Sequence, residues 1–236
     1  MIKQAVLQVR YRQPRVGGRK LYEHLQKQDI CVGRDRLFDL LREWKLLIRP
    51  RRSYRKTTYS RHRLRVYKNL LKNQPAQGPN EAWVGDITYI ETRDRCGYLF
   101  LLTDQFSRKI VGYDFSISLS IEGALTALQM ALKQSPGRCA LIHHSDRGIQ
   151  YCSHEYVRLL ESHGVRISMT EDNHVYENAL AERVNGILKT ELLGNTRYIH
   201  FTDVKRVIQE AIDIYNNERL HMSLSYQTPN FVHNNN

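Results

Sequence analysis

The stretch Trp83-Val84-Gly85-Asp86-Ile87-Thr88-Tyr89 has the apolar and β-branched composition of a strand, with a single carboxylate in its middle. A charged side chain among apolar neighbours costs free energy unless it is paired or bound to a cation. Two further apolar segments follow, at residues 98–103 and 109–115, so three successive strands are predicted. Asp86 is therefore a candidate functional residue within a sheet.

The order of the elements after these strands indicates the fold class. Helical and strand patterns alternate over the rest of the chain. We expect helices at residues 121–134, 153–163, 178–193 and 202–216, and strands at residues 140–144 and 165–169. Consecutive strands followed by such an alternation favour an α/β domain.

The positive charge of the chain is concentrated in its first third. Residues 1–75 contain 21 Lys and Arg against 5 Asp and Glu, whereas residues 76–236 contain 15 against 19. This pattern is typical of a polyanion binder, because neutralising phosphates releases counterions. The alternatives are a solubilising surface, which does not call for one sign in one segment, and a membrane-surface arm, although the apolar residues there have the spacing of ordinary helix cores.

Two short helical patterns around a glycine-containing turn predict a helix-turn-helix domain over residues 1–47. The first pattern covers residues 19–28 and the second covers residues 34–45, with its apolar side chains on one face. The second helix of such a pair can enter a DNA major groove. Helical hairpins also occur without DNA readout, and the local basic charge is what favours DNA here. The candidate contacts are Arg34, Arg36 and Arg42.

Residues 48–79 are predicted to form a basic arm and linker between two domains. The segment is rich in Arg and Lys with interspersed Tyr, and it ends in Gln74-Pro75-Ala76-Gln77-Gly78-Pro79. We expect its basic side chains to follow DNA phosphates. The candidate contacts are Arg51, Arg52, Arg55 and Lys56.

Cysteine spacing and hydropathy disfavour several protein classes. Cys31, Cys96, Cys139 and Cys152 are too widely spaced for a zinc finger, and they signal no disulfide framework. The sequence has no signal-peptide pattern and no apolar run of the roughly 18 residues that a membrane span requires. We expect a cytoplasmic protein with reduced thiols and no membrane partner.

Carboxylates from distant segments must converge for phosphodiester transfer with two metal ions. Asp146 directly follows a predicted strand and Glu182 lies in a predicted helix, with 35 residues between them. Asp86 and Glu122 have the same separation, so spacing alone does not select a pair. Glu122 also fits a capped helix start, where a negative charge suits the helix dipole, and Asp104 fits a turn between two strands.

Four short motifs follow one another along the chain. They are Trp83 with Asp86-Ile87-Thr88-Tyr89, then His144-Ser145-Asp146-Arg147-Gly148-Ile149-Gln150-Tyr151, then Asn178-Ala179-Leu180-Ala181-Glu182 with Leu188-Lys189-Thr190-Glu191, and last Tyr215-Asn216-Asn217-Glu218-Arg219-Leu220-His221 with Leu224 and Pro229. Together they resemble the integrase-type transposases of bacterial insertion sequences, in the retroviral-integrase superfamily. The similarity is strongest to the second-reading-frame protein of the large group with two overlapping frames. It covers about residues 81–231, and more weakly residues 18–47.

This resemblance implies a ribonuclease-H-like catalytic domain over residues 80–236, with a mixed five-stranded sheet and flanking helices. It maps an Asp-Asp-Glu triad onto Asp86, Asp146 and Glu182, which would be both the catalytic residues and the metal ligands. The implied cofactor is a pair of Mg²⁺ ions, with Mn²⁺ as the alternative ion. The chain departs from the commonest family pattern at Glu177 and at Arg183-Val184-Asn185, neither of which is a triad position.

The resemblance also implies partners. They are double-stranded DNA at the element ends and at the target, further copies of the chain on that DNA, and an upstream-reading-frame protein or fusion. The protein would then be associated with the bacterial nucleoid.

Several neighbours of the triad have two interpretations each. Lys189 follows Glu182 by seven residues and projects from nearly the same helix face, so it either contacts a DNA phosphate or is a solvated lysine that stabilises the helix end. Arg147 and Gln150 either reach DNA near the cut or complete a polar loop.

Asn178 and the two histidines before Asp146 are predicted to support the site. Asn178 either caps its helix or orients the carboxylate of Glu182 by a hydrogen bond. His143 and His144 are adjacent in a strand and point to opposite faces, so they cannot easily share one ion. We expect His144 to contact the metal-ligating carboxylates and hold them in position, without binding a metal ion itself.

The sequence therefore predicts a DNA transposase that cleaves and joins strands at insertion-sequence ends, a metal-dependent polynucleotidyl transferase. One alternative is a DNA-binding regulator or assembly subunit with an inactive integrase-like domain, against which the intact triad argues. The other alternative is a nuclease of the same fold that cleaves without joining.

Overall fold

A computed structural model of the chain describes residues 1–48, 64–72, 74–134, 140–171, 178–194 and 196–235. A three-helix unit comes first along the chain, and a five-stranded α/β unit follows it. Four of the predicted DNA contacts lie outside the described residues, namely Arg51, Arg52, Arg55 and Lys56.

The N-terminal unit consists of α1 (Ile2–Arg12), α2 (Gly18–Gln26) and α3 (Arg34–Glu43). Val6 of α1, Leu21 and Leu25 of α2 and Leu37 of α3 meet in one buried cluster. The two helices of the predicted helix-turn-helix are therefore present, but α1 was not predicted. The assignment of this unit to DNA readout stays a prediction.

The α/β unit is built on five strands. They are β1 (Ala82–Glu91), β2 (Cys96–Asp104), β3 (Ile110–Ser116), β4 (Ile142–Ser145) and β5 (Arg166–Met169). Their order in the sheet is β3-β2-β1-β4-β5, with the first three antiparallel and with β4 and β5 parallel to β1. The predicted mixed five-stranded sheet is confirmed, and the strand that carries Asp86 is the central one.

Helices cover both faces of the sheet. One face packs against α4 (Ile121–Gln134), α5 (Ile149–Cys152) and α6 (His154–Ser162), and the other against α7 (Ala179–Ile187) and α8 (Phe201–Asn217). Alternate side chains of β2 enter the two cores, as the pleat of a strand requires. Phe100 and Leu102 join the first core, and Leu99 and Leu101 join the second. The result is a three-layer α/β/α arrangement.

Some predicted boundaries differ from the observed ones. The predicted helix at residues 178–193 is divided into α7 and a π-helical turn, Leu188–Leu192. The predicted strand at residues 140–144 starts only at Ile142, because Ala140 has a left-handed backbone with a φ of 80° that does not continue a strand. The short helices α5 and α9 (Pro229–Asn234) were not predicted. No helix in the described ranges is long and apolar enough to cross a membrane.

Candidate active site

Asp86 and Asp146 are brought together by the pairing of two parallel strands. Gly85 of β1 is the partner of Ser145 of β4, and this is the last pair in the register. Asp86 is the next residue of β1, which continues to Glu91, and Asp146 directly follows the end of β4, so this register sets the two aspartates side by side. Neighbouring strands lie about 4.8 Å apart. Residues far apart in the sequence thus meet where ligand sites of α/β sheets gather.

The carboxyl group of Asp86 is half-buried and surrounded by other acidic groups. Burial raises its pKa most, and the negative charges of Asp146 and Glu182 raise it further, to about 7. Hydrogen bonds oppose this rise, from the backbone at Ile87 and from Asn185. Asn185 Nδ2 donates to Asp86 Oδ2 at 2.6 Å. A positive charge close to Asp86 would stabilise the ionised form of its carboxylate.

Asp146 is held at the start of a tight turn into α5. Its Oδ1 accepts a hydrogen bond from the backbone N–H of Gly148 at 3.0 Å. A Cβ at Gly148 would lie 3.0 Å from the same oxygen, so a larger residue would push against the carboxylate. The Nε of the next residue, Arg147, donates to the carbonyl oxygen of Thr170 at 2.8 Å.

Glu182 lies in the first turn of α7 and is exposed. Its charge raises the pKa of Asp86, which places it in the electrostatic neighbourhood of the two aspartates. Within the described residues, no group of three or more His, Cys, Asp or Glu side chains lies close enough together to hold a metal ion. Each of the three carboxylates offers oxygen ligands only, the kind that Mg²⁺ prefers.

Three polar side chains fasten α7 and the π-helical turn along β1. Asn178 Nδ2 donates to the carbonyl oxygen of Gly85 at 3.2 Å, and Asn185 bonds Asp86. Lys189 Nζ donates to Thr88 Oγ1 at 2.9 Å. These bonds fix the helix that carries Glu182 against the strand that carries Asp86.

Asn178 serves neither of its predicted roles. It makes no side-chain cap to α7, and the described bond of its amide goes to β1 instead of to Glu182. Its Oδ1 is buried without a hydrogen-bond partner. The sequence also allowed Lys189 to be a solvated lysine that stabilises the helix end. The structure disagrees, because Lys189 is half-buried and its Nζ lies 3.9 Å from the centroid of the Tyr89 ring.

The two histidines of β4 point to opposite faces, as predicted. His143 Nε2 lies 2.9 Å from the hydroxyl of Tyr156, and burial lowers the pKa of this imidazole to about 3. His144 Nδ1 lies 2.8 Å from Ser168 Oγ on β5. His143 is therefore neutral near pH 7, and the two rings brace different neighbours of β4.

The family models and the relatives that the chain matches are integrase core domains and insertion-element proteins. Residues 76–174 and residues 163–229 each match a family described as Integrase core domain. The insertion element IS600 uncharacterized 31 kDa protein of Shigella sonnei is 39% identical over 215 residues, which are 90% of this chain and 79% of the relative. Transposase InsF for insertion sequence IS3A of Escherichia coli (strain K12) is 33% identical over 209 residues, which are 88% of this chain and 73% of the relative.

The chain belongs to the integrase-type transposases of bacterial insertion sequences. The motif-based prediction of a DNA transposase is thereby confirmed.

Solved structures support the fold of this transposase. The catalytic core domain of HTLV-2 integrase, solved in complex with magnesium, has a TM-score of 0.54 and 21% identity, and the match covers 66% of this chain and 98% of that one. The simian T-cell lymphotropic virus intasome in complex with the PP2A regulatory subunit B56 gamma has a TM-score of 0.59 and 19% identity, over 92% of this chain and 70% of that one.

The remaining predicted DNA contacts of the transposase differ in accessibility. Arg34, Arg36 and Arg42 are exposed on α3. Two of them already pair with acidic neighbours, Arg34 with Asp35 and Arg42 with Asp39. Gln150 is buried, and its Nε2 donates to the carbonyl oxygen of Leu119 at 2.7 Å.

Asn185 is the functional candidate that the sequence reasoning missed. It was noticed only as a departure from the commonest family pattern. Its position three residues after Glu182 was an available signal, because residues three apart share a helix face. What that spacing does not give is the partner of Asn185, which depends on how α7 docks on β1.

Proposed function

We propose that this transposase cleaves and joins DNA strands at the ends of its insertion sequence, with Asp86, Asp146 and Glu182 as the catalytic carboxylates. The observation that carries this proposal is the pairing of β1 with β4. In this register Asp86 lies beside Asp146, where burial first and the neighbouring carboxylates second raise the pKa of Asp86 to about 7.

Asp86, Asp146 and Glu182 would hold two Mg²⁺ ions, or Mn²⁺ in their place. When bound, such ions activate an attacking oxygen and stabilise the negative charge on the leaving oxygen. The residues fit this role chemically, because they offer only oxygen ligands and because like charges around Asp86 are relieved by a cation. Asn185 donates to Oδ2 of Asp86, and this bond would restrict the orientation of the carboxylate that holds the ions.

The proposed reaction has two phosphoryl transfers. In cleavage, a water oxygen bonds to phosphorus while the bond to the 3′-oxygen breaks, which leaves a 3′-hydroxyl on the element end and a 5′-phosphate on the flank. In joining, that 3′-hydroxyl oxygen bonds to a target phosphorus while the target's own 3′-oxygen leaves and takes up a proton. The protein contributes position and charge and forms no covalent intermediate with the DNA.

The rest of the chain would present DNA to this site. Residues 1–47 are proposed as the helix-turn-helix that reads the element end, residues 48–79 as the phosphate-following arm, and residues 80–236 as the catalytic core. Lys189 and Arg147 are proposed phosphate contacts next to the carboxylates. Several copies of the chain would assemble on the DNA. An upstream-reading-frame protein would act with them, as a separate partner or as a fusion.

The experiment is a strand-transfer assay with labelled element ends, target DNA and Mg²⁺, with and without the upstream-frame product. Wild-type protein is expected to give joined products, and Glu182→Gln is expected to give neither cleavage nor joining. Cleavage without joining under all these conditions would indicate a nuclease instead. Equal activity of the wild type and Glu182→Gln would refute the assignment of the triad.

A further inference from the structure

A cleft beside Asp146 is lined by residues of two separate segments. Its volume is about 450 Å³, and its walls are Val66, Tyr67, Lys68 and Asn69 on one side and Arg147 and Glu171 on the other. Arg147 directly follows Asp146 in the sequence. One wall residue of the cleft thus belongs to the segment that begins at Asp146.

The wall formed by residues 64–72 is anchored to the sheet. The backbone N–H of Leu70 donates to Ser168 Oγ at 2.8 Å, and this hydroxyl also bonds His144 Nδ1. Leu64 and Tyr67 pack against the core that α4 and α6 share with the sheet. The cleft is thus preformed by packing and hydrogen bonds.

The lining residues of the cleft carry more positive than negative charge. Lys68 and Arg147 are basic and Glu171 is acidic, and Lys72 Nζ pairs with the Glu171 carboxylate at 2.9 Å. Lys68 is exposed and makes no hydrogen bond or ion pair with any other described residue. Its ammonium group is available for an anionic ligand.

The cleft also offers an aromatic ring and an amide. The ring of Tyr67 lines the wall, and the guanidinium carbon of Arg65 lies 4.8 Å from the ring centroid. Aromatic rings and guanidinium planes are the surfaces on which unpaired bases stack. Asn69 adds polar atoms beside them. The volume matches that of a small-molecule pocket, which suits a single nucleotide and not a duplex.

We propose that this cleft binds one nucleotide of an unpaired DNA strand next to the scissile phosphate, with Lys68 on its phosphate and the ring of Tyr67 against its base. The inference rests on the proposed function, because it supposes that DNA enters the site at Asp146. It deepens that function by adding a contact to the flanking strand from the segment that precedes the catalytic core.

The test is the binding of a fluorescent oligothymidylate to the full chain in EDTA, where no catalysis takes place. Lys68→Ala is expected to weaken binding roughly three- to tenfold and to reduce the slope of log Kd against log salt by about 0.7, the value for one phosphate contact to a single strand. Lys133→Ala, an exposed lysine on α4 outside the cleft, is the matched control and is expected to change neither quantity. Equal effects of the two substitutions would overturn the proposal.

A second pair of variants tests the stacked base. Tyr67→Leu is expected to weaken oligothymidylate binding about fivefold or more, because a stacked base is worth 1–3 kcal/mol, whereas Tyr67→Phe retains it. The melting temperature of each variant checks that the packing of residue 67 survives. An equal loss of affinity for a blunt duplex would contradict the assignment to an unpaired strand.

The experiments distinguish a wrong assignment of the cleft as a nucleotide site from a wrong assignment of the catalytic triad. Glu182→Gln is expected to abolish strand transfer and to leave oligothymidylate binding in EDTA unchanged. If the triad assignment is wrong, Glu182→Gln stays active whatever Lys68→Ala does. If only the cleft assignment is wrong, Lys68→Ala binds oligothymidylate as tightly as the wild type while Glu182→Gln is inactive.

Discussion

The environment of Asp86 opposes the charge of its carboxylate. In the unfolded chain its carboxyl group has the ordinary pKa near 3.8, and in the folded metal-free protein burial and the neighbouring carboxylates raise it to about 7. Between these values the folded chain holds a proton that the unfolded chain has lost. The stabilisation from this proton is fully present below about pH 4 and is lost as the pH rises through 7.

The first prediction concerns this loss. Asp86→Asn removes the titrating group, so in EDTA the melting temperature of the wild type is expected to fall relative to that of the variant between about pH 4 and pH 7. Thermal melts across this range measure the difference. Glu155→Gln, an exposed carboxylate on α6, is the control and should follow the wild type. Parallel curves for the wild type and Asp86→Asn would contradict the raised pKa.

A second prediction at this scale concerns Asn185 as a positioning residue. Asn185→Leu keeps a similar volume and removes the donor to Asp86 Oδ2, so the pKa of Asp86 rises further. We expect strand-transfer activity to fall about 10–100-fold, the usual cost of losing a group that orients a metal ligand. The acidic limb of the pH–rate profile should also move to higher pH. A fall in activity without that movement would indicate a structural role only.

Among the elements, β2 and α9 are joined by a buried polar cluster. Asp104 at the end of β2 accepts hydrogen bonds from the backbone N–H and the hydroxyl of Ser107, each at 2.7 Å, and the backbone N–H of Asn80 donates to its other oxygen. Ser107 Oγ also lies 2.9 Å from His233 Nδ1 on α9. Burial raises the pKa of Asp104, but these bonds and His233 lower it more, so the net shift is downward.

The third prediction follows from this cluster. Ser107→Ala removes one donor to the fully buried Asp104 and the bond to His233, and it is expected to cost about 1–3 kcal/mol of unfolding free energy. Chemical denaturation at neutral pH measures this cost. The control is Ser162→Ala at an exposed serine, which should lower the unfolding free energy by less than about 0.5 kcal/mol. Similar costs at both serines would show that the cluster contributes little.

The elements also show how far the sequence alone reaches. The apolar run around Asp86 predicts β1, and the apolar run before Asp146 predicts β4. The parallel pairing of these two strands, which brings the two aspartates together, comes from the fold. The sequence does not predict α1, because Leu7 and Tyr11 are exposed apolar residues that interrupt the helical spacing of its buried side chains. Nor does it predict the bond of Asn185 to Asp86 or the π-helical turn after α7, since both depend on how a helix docks on a strand far away in the chain.

In the whole molecule, an ion cluster connects the N-terminal unit to the catalytic core. Arg219 donates to both oxygens of Glu191, each at 3.0 Å, and Lys20 of α2 donates to one of them at 2.9 Å. Glu191 lies in the π-helical turn that follows α7. Burial and the charge of Arg219 lower the pKa of Lys20 despite its bond to Glu191. The environment thus disfavours the charge of Lys20, and Arg219 is the main partner of the carboxylate.

The fourth prediction compares these two cations. Arg219→Met leaves Glu191 without its bidentate partner and is expected to cost about 3–5 kcal/mol, as for a broken buried ion pair. Lys20→Met leaves the Arg219 pair intact and removes a desolvated charge, so it should change the unfolding free energy by less than about 1 kcal/mol. Denaturant titrations of both variants measure the difference. A larger cost for Lys20→Met would reverse the assignment.

The most direct test of the account is the rate of strand joining by Asp86→Asn, Asp146→Asn, Glu182→Gln and the triple variant, each with Mg²⁺ and the same element ends. Groups that act as one unit have non-additive effects. We therefore predict that each single substitution lowers the rate about as far as the triple substitution does. Losses that add from one carboxylate to the next, or a single variant that joins strands at the wild-type rate, would contradict the claim that these three residues form the active site.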